Sequence, residues 1–251
     1  MTIVDFGPTI VGVLLLVATT WIVLSAYGVP RRWSPGLAIL RGAVQLAAIS
    51  IILSGVINSP VFVALALLVM FAVAASTATR RLGWSWQNLR RVAGSMALGV
   101  LLSMGIIFAT GAVELTSRYA LAIGGIIVGN SMTTTVLAGR RFTEAVIDHW
   151  EEVEGWLALG ATPRRATLEL ARGAVFSALI PSIGQTKTTG LVTLPGAFVG
   201  SIFGGISPVE AGRFQIVVLA GIMATVRHHG RVPDLLTCGR EGTSCTIGSV
   251  N

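Results

Sequence analysis

The sequence predicts an all-α fold: a polytopic membrane protein of about seven transmembrane helices with a cytosolic helix–turn–helix. Three observations lead there. Of the 251 residues, 53% are hydrophobic and 12% charged, whereas soluble domains carry about 25% charged residues. The mean hydropathy is +0.79, and the apolar residues gather into runs close to the ~20 residues that cross a bilayer as a helix. The charges stand between those runs, with short connections and no soluble block large enough to fold alone. One membrane domain without internal repeats is therefore expected.

Seven spans are expected in order, at 7–27, 36–57, 60–79, 92–113, 119–138, 174–204 and 209–226. The first lacks the basic n-region and small-residue cleavage pattern of a signal peptide, so it is read as a retained span. The second carries Arg41 and Gln45, one turn apart on one face. Arg80, Arg81, Arg90 and Arg91 join the third to the fourth. The fifth contains IGGIIVGNSMTTTVLAGRR. There Gly124, Gly125 and Gly129 permit close helix packing, and Asn130, Ser131, Thr133 and Thr134 offer hydrogen bonds across an interface. The sixth, Ala174 to Gly204, is longer than one straight span needs. It holds Pro181, Gly184, Gly190, Pro195 and Gly196, the signature of a kinked, interrupted or re-entrant helix. The last apolar stretch, Phe214 to Val226, gives about 20 Å of helix, short of a ~30 Å hydrocarbon core. A complete span there must recruit Pro208 to Arg213 and bury Glu210 and Arg213.

Arginine placement sets the orientation. If every run crosses, Arg31, Arg32, Arg80, Arg81, Arg90, Arg91, Arg140, Arg141, Arg164, Arg165, Arg172, Arg227, Arg231 and Arg240 fall on one side, against Arg118 and Arg213 on the other. The positive-inside rule puts the first side in the cytoplasm, with the N-terminus outside and the C-terminus inside. The same distribution explains the net charge of +7 without nucleic acid, because the clusters flank apolar runs instead of lining one soluble face.

Two charges remain within spans, Arg41 and Lys187, and each needs a partner or water there. Arg41 either snorkels to headgroups from the cytoplasmic end of its span or faces a pathway. Lys187 sits beside Gln185 in PSIGQTKTTGLVTLPG; it either fixes a helix break by meeting carbonyls or lines a cavity. Asn130 and Met132 either pack or meet a cation, through amide oxygen and thioether. The candidates for a transport pathway are thus Arg41, Gln45, Asn130, Met132, Gln185 and Lys187. No span holds a cluster of His, Cys or carboxylates, so a tight metal cage is not expected and metal ligands stay unassigned. Cys238, Cys245, His228 and His229 fall in the tail, without zinc spacing or a disulfide framework. A Walker-type loop, a nucleophile elbow and a metalloprotease helix are all absent. The chain is therefore not expected to be an enzyme, and energy for any work must come from another protein.

The segment that points to such a partner is FTEAVIDHWEEVEGWLALGATPRRATLELAR, from Phe142 to Arg172. Phe142, Val146, Trp150, Val153 and Leu157 recur at helical spacing, while Glu144, Asp148, Glu151 and Glu152 take other faces. His149, beside Trp150, is expected to pack at an interface. The pattern breaks at Gly160-Ala161-Thr162-Pro163, where Gly suits a helix C-terminus, Thr162 an N-cap and Pro163 the first position of a new helix. A polar helical corner wedged between membrane helices can be pushed by a cytosolic protein.

Five ordered motifs, RGAVQL at 41–46, GNSM at 129–132, LGATP at 159–163, KTTGLVTLPG at 187–196 and SPVEAGRFQI at 207–216, resemble the FetB-type permeases of ABC transporters. That bacterial iron-export family also includes the plant aluminium-sensitivity membrane proteins, and the likeness covers most of the chain. It implies a permease subunit in the cytoplasmic (inner) membrane that exports a metal ion, with iron the first expectation. It also implies a separate ABC ATPase that uses ATP, no cofactor held by this chain, and two copies working as a homodimer. Glu154 to Pro163 is similar to the coupling loop of bacterial ABC permeases at Glu154, Gly160 and Pro163. The resemblance makes Glu154, Trp156, Gly160, Pro163, Arg164 and Arg165 the ATPase-coupling candidates. Residues 1–226 are then the permease domain, with coupling region 142–172, and 227–251 a cytoplasmic tail that departs from the family as a divergent or frame-shifted end. An ABC permease for a non-metal solute such as a nucleotide sugar, and an ATP-independent carrier or channel, are the competing expectations; Lys187 favours anions locally.

Overall fold

The computed structural model describes residues 6–56 and 59–225, which leaves the tail, with its cysteines and histidine pair, outside the described residues. These residues form helices and one isolated bridge, Thr189 with Thr193. They fall into two compact units, one ahead of Ser59 and one from Ser59 onward. The first is a helix pair, α1 (Phe6–Ala26) and α2 (Ser34–Val56). Its turn passes through Gly28 at φ 64° and Arg31 at φ 61°. Trp21 and Trp33 meet with ring centroids 5.3 Å apart, and the Arg32 guanidinium lies 5.8 Å from the Trp21 ring, a cation–π contact that ties the turn to α1.

The second unit contains α3 (Pro60–Leu82), α4 (Trp86–Ala109), α5 (Ser117–Asp148), α6 (Trp150–Ala158), α7 (Pro163–Ala166), α8 (Leu168–Thr188), α9 (Gly196–Phe203) and α10 (Pro208–Ala224). Its helix starts are chemically marked. Ser85 accepts from the Gln87 N–H, Thr116 from the Tyr119 N–H and Ser207 from the Glu210 N–H. The Ser207 hydroxyl also donates to the Glu210 carboxylate at 2.9 Å. Such caps satisfy N–H groups that the first turn leaves unpaired.

The hub is α5, which packs against α3, α4, α8 and α10. Glycines allow the closest approaches. A Cβ at Gly124 would stand 2.7 Å from a Leu67 methyl, and one at Gly139 2.5 Å from a Leu82 methyl. Both contacts join residues separated by the same 57 positions, so α3 and α5 run parallel and stay in register. The approach least able to yield is to backbone: a Cβ at Gly99 of α4 would lie 2.7 Å from the Thr225 carbonyl oxygen, just past α10. Around these contacts Met96, Ile123, Ile127 and Val218 are buried in one continuous core. Gly99→Val is therefore expected to destabilise the protein by about 1–3 kcal/mol through overpacking. Gly105→Ala, which meets open space, should not. Thermal unfolding in detergent checks this; equal melting temperatures for the two variants would contradict the contact.

Helices Gly7–Ala26, Pro60–Leu82, Trp86–Ala109 and Ser117–Asp148 are long and apolar enough to cross a membrane. The chain is accordingly an all-α polytopic membrane protein. One sequence expectation needs correction. The helix of the fifth span does not stop at Arg140–Arg141: α5 continues to Asp148, because no Gly or Pro stop signal stands there and Arg141 pairs with Glu144 at 3.1 Å along the same helix. The stretch 174–204 is interrupted, as its Pro and Gly residues lead one to expect: α8 ends at Thr188 and α9 begins at Gly196 behind Pro195. Pro181 does not break α8 but lies inside it. The last helix does recruit Pro208 to Arg213, with Glu210 and Arg213 on its outer face.

Candidate functional site

The helical corner is built on the end of α5. Past Arg141, Phe142 and Val146 of α5 are buried with Ala171 and Ala174 of α8, and Trp150, Leu170 and Val175 close over them. His149 divides α5 from α6 at φ −114° and ψ 32°. It is exposed, and its Nδ1 lies 3.0 Å from the Ala145 carbonyl oxygen. Val153 is the buried residue of α6. The end of α6 forms a paired turn: the Gly160 N–H donates to the Leu157 carbonyl and the Ala161 N–H to the Trp156 carbonyl, at 2.9 and 3.0 Å. Gly160 takes the left-handed φ of 85° that this closure requires. Thr162 is then the N-cap and Pro163 the first residue of α7, although the Thr162 side chain makes no capping bond. Thr167 is buried, its hydroxyl donating to the Pro163 carbonyl at 2.9 Å where α7 passes into α8.

Everything that this turn presents outward is accessible. Glu154, Trp156, Gly160, Pro163, Arg164 and Arg165 are all exposed. Trp156 is 49% and Leu159 82% accessible, a costly display of apolar surface in water. Leu159 was not singled out by sequence reasoning; its place at the C-cap of α6, pointing away from the Val153 face, is visible only in the folded turn.

The pathway candidates separate into two groups. Arg41 and Gln45 are exposed on α2. Asn130, Met132, Gln185 and Lys187 belong to the second unit. Asn130 is half-buried, its Nδ2 donating to the Ile126 carbonyl at 2.9 Å, and Met132 packs against the main core. Gln185 and Lys187 are exposed on the last turn of α8. The helices bring the GNSM and KTTG motifs to one depth. From the buried Phe142 and Ala174, Asn130 lies 12 residues up α5 and Lys187 13 residues up α8, rises of about 18 and 20 Å. Gly124 and Gly125 meet Leu67 and Met70 of α3, whereas a Cβ at Gly129 would touch nothing within 4 Å. Among buried polar atoms without a hydrogen-bond partner are Ser131 Oγ on α5, Ser103 Oγ on α4 and Gln215 Oε1 on α10. Sequence reasoning did not single out Ser103, and it met Gln215 only as part of the SPVEAGRFQI motif, because helical periodicity alone does not say which polar residue faces a core. Among the described residues no group of three His, Cys, Asp or Glu side chains converges as a metal cage.

Comparison with known proteins adds a second line of evidence. A family described as "Uncharacterised protein family (UPF0014)" matches residues 9–228. The "UPF0014 membrane protein YjkA" of Bacillus subtilis is 35% identical over 191 residues, 75% of this chain and 76% of that one. The "Protein ALUMINUM SENSITIVE 3" of Arabidopsis thaliana is 37% identical over 185 residues, 72% of this chain and 67% of that one. The "Probable iron export permease protein FetB" of Escherichia coli is 34% identical over 131 residues, 52% of this chain and 51% of that one. No solved structure matches.

Proposed function

The chain belongs to the UPF0014 family of membrane proteins, and on that premise we propose that it is the permease subunit of an ABC transporter that exports iron or another metal ion. The observation that carries the proposal is the corner from Trp150 to Ala166. It is anchored to the core through α5 and α8, yet it exposes Trp156, Leu159, Arg164 and Arg165. The cytosolic occupant is a separate ATPase, since the sequence has no Walker-type loop of its own. Apolar Trp156 and Leu159 enter a groove on that subunit, and Arg164 and Arg165 meet its acidic groups. Aromatic and arginine anchors of this kind dominate protein interfaces.

In this arrangement the N-terminus is outside, the corner and C-terminus are cytoplasmic, and the membrane is the cytoplasmic (inner) membrane. Residues 1–226 are the permease domain and 227–251 a cytoplasmic tail. Two copies assemble around one pathway, with two ATPases beneath. Closure of the ATPases on ATP moves the corner, and α5, helical without interruption from Ser117 to Asp148, carries that motion into the membrane as a rigid lever. The chain itself binds no cofactor; ATP is the partner's. Its relative named for iron export, at 34% identity, supports the metal. The test is copurification: an ABC ATPase of the same organism, co-expressed with this chain, should elute with it in detergent at one-to-one stoichiometry. An ATPase that elutes separately at every nucleotide condition would contradict the proposal.

A further inference from the structure

The apolar slab and the acidic residues of this chain do not overlap. After Asp5 the next acidic residue in the sequence is Glu114, then Glu144, and from Arg172 the chain reaches Glu210 before meeting another. The stretches 6–109, 117–140 and 173–207 therefore carry no carboxylate, Glu144 falling on α5 past Arg141 and Glu210 on the first turn of α10, while Arg41 and Lys187 lie within apolar segments. Pathways for bare cations are lined with Asp or Glu rings or with converging carbonyls; the end of α8 instead carries the fixed positive charge of Lys187.

Lys187 sits where that charge matters most. Because α3 and α5 are parallel and in register, the midpoint of Pro60–Leu82, at Phe71, lies level with Val128 of α5. Asn130 is about 3 Å from that level along the helix, and Lys187 shares its depth. α8 thus ends near the middle of the apolar slab, and α9 resumes only at Gly196. Along α8, Ala171, Ala178 and Gln185 fall on one line, seven residues apart. The first two are each 2% accessible, but Gln185, beyond Pro181, is exposed. The stripe that packs against its neighbours below the proline opens above it.

The donors at this opening are specific. Thr186, Thr188 and Thr189 spend their hydroxyl protons on the Ser182, Gly184 and Gln185 carbonyls of their own helix. Lys187 forms no ion pair among the described residues. An unpaired ammonium at this depth requires water or an anion, and the nitrogen donors of Lys187 and Gln185, on the last turn of α8, make no hydrogen bond among the described residues. Resting on the permease assignment, we infer that the break between α8 and α9 is a water-filled site. It takes its cargo as an anionic complex, a metal ion already carrying carboxylate or phosphate ligands, with Lys187 and Gln185 facing those ligands.

Thiol accessibility of the full chain in liposomes tests this without relying on transport. In a Cys238→Ser, Cys245→Ser background, Gln185→Cys should react with an anionic thiosulfonate at least ~10-fold faster than Leu68→Cys, an exposed position on α3 at similar depth. After normalisation to free thiol, the anionic reagent should outpace the cationic one at Gln185→Cys by at least threefold. Lys187→Gln should abolish that preference and Lys187→Arg keep it. Iron(III) citrate should slow labelling of Gln185→Cys at concentrations where iron(II) without chelator does not. Labelling at Gln185→Cys as slow as at Leu68→Cys, a preference unchanged by Lys187→Gln, or protection by iron(II) alone would each overturn the inference. None of these results bears on whether an ATPase drives the protein, so the two proposals fail separately.

Discussion

Replacing Phe142 by Ala is expected to cost about 3–5 kcal/mol, the range for emptying a buried aromatic site. Phe142 is 2% accessible and is the largest fully buried side chain described. It stands just past Arg140 and Arg141, which the proposed topology puts at the cytoplasmic boundary, so under that proposal transfer from water applies to it in a way that it does not for lipid-facing helices. Its neighbours Val146, Ala171 and Ala174 are small or β-branched and fill a vacated ring poorly. The loss falls on the one cluster that fixes the end of α5 to the start of α8, so the corner should loosen before the core does. Limited proteolysis between α6 and α8 and thermal unfolding in detergent both measure this. Ile147, on the same turn but 54% accessible, provides the control: Ile147→Ala should change stability by less than about 0.5 kcal/mol. Matching melts and matching cleavage rates for the two variants would show that the corner is not held in this way.

The second large effect is functional. A triple variant, Trp156→Ala with Arg164→Glu and Arg165→Glu, removes the exposed aromatic and reverses both charges while touching no buried side chain. Interface anchors of this type are worth about 2 kcal/mol or more, so ATP-dependent transport should fall at least ~30-fold at subsaturating ATPase. Melting temperature should stay within error of the parent. The control is Arg172→Glu, an exposed residue whose ion pair with Glu169 lies on α8 beyond the corner; it should reduce transport far less. Transport by the triple variant at the parent rate would place the ATPase elsewhere on the protein.

How much of this was legible in the sequence varies with the physics at each position. The corner turn could be read directly, because a left-handed φ at Gly160 and a fixed φ at Pro163 are backbone demands that only a few residue types meet. The end of the fifth span could not. Arg140 and Arg141 mark where lipid gives way to water, but the helix continues as long as nothing breaks its backbone pattern, and α5 runs on through them. The interruption near Lys187 was visible as a cluster of Pro and Gly, yet its bounds were not. Pro181 removes one N–H and is tolerated within α8, whereas the chain leaves the helix only at Thr189. Glycines show the limit most plainly. Gly124 and Gly129 look alike in the sequence, but only Gly124 meets a neighbour, and Gly99 and Gly139, at two of the closest approaches, carried no signal. Which face of a helix meets another backbone is a property of the packed bundle. The pathway candidates on α5 and α8 were found as intramembrane polar residues, and their common depth emerged only from the register of those helices.

The central claim is that ATP hydrolysis by a separate subunit, acting on the α6–α7 corner, drives export through this chain. Inverted membrane vesicles containing the chain and the ABC ATPase that copurifies with it test it most directly, by accumulation of radiolabelled iron supplied as iron(III) citrate. The account predicts ATP-dependent accumulation with both proteins, and none with either protein alone or with an ATPase whose Walker lysine is replaced. Accumulation at the full rate by this chain alone, without ATP, would contradict it.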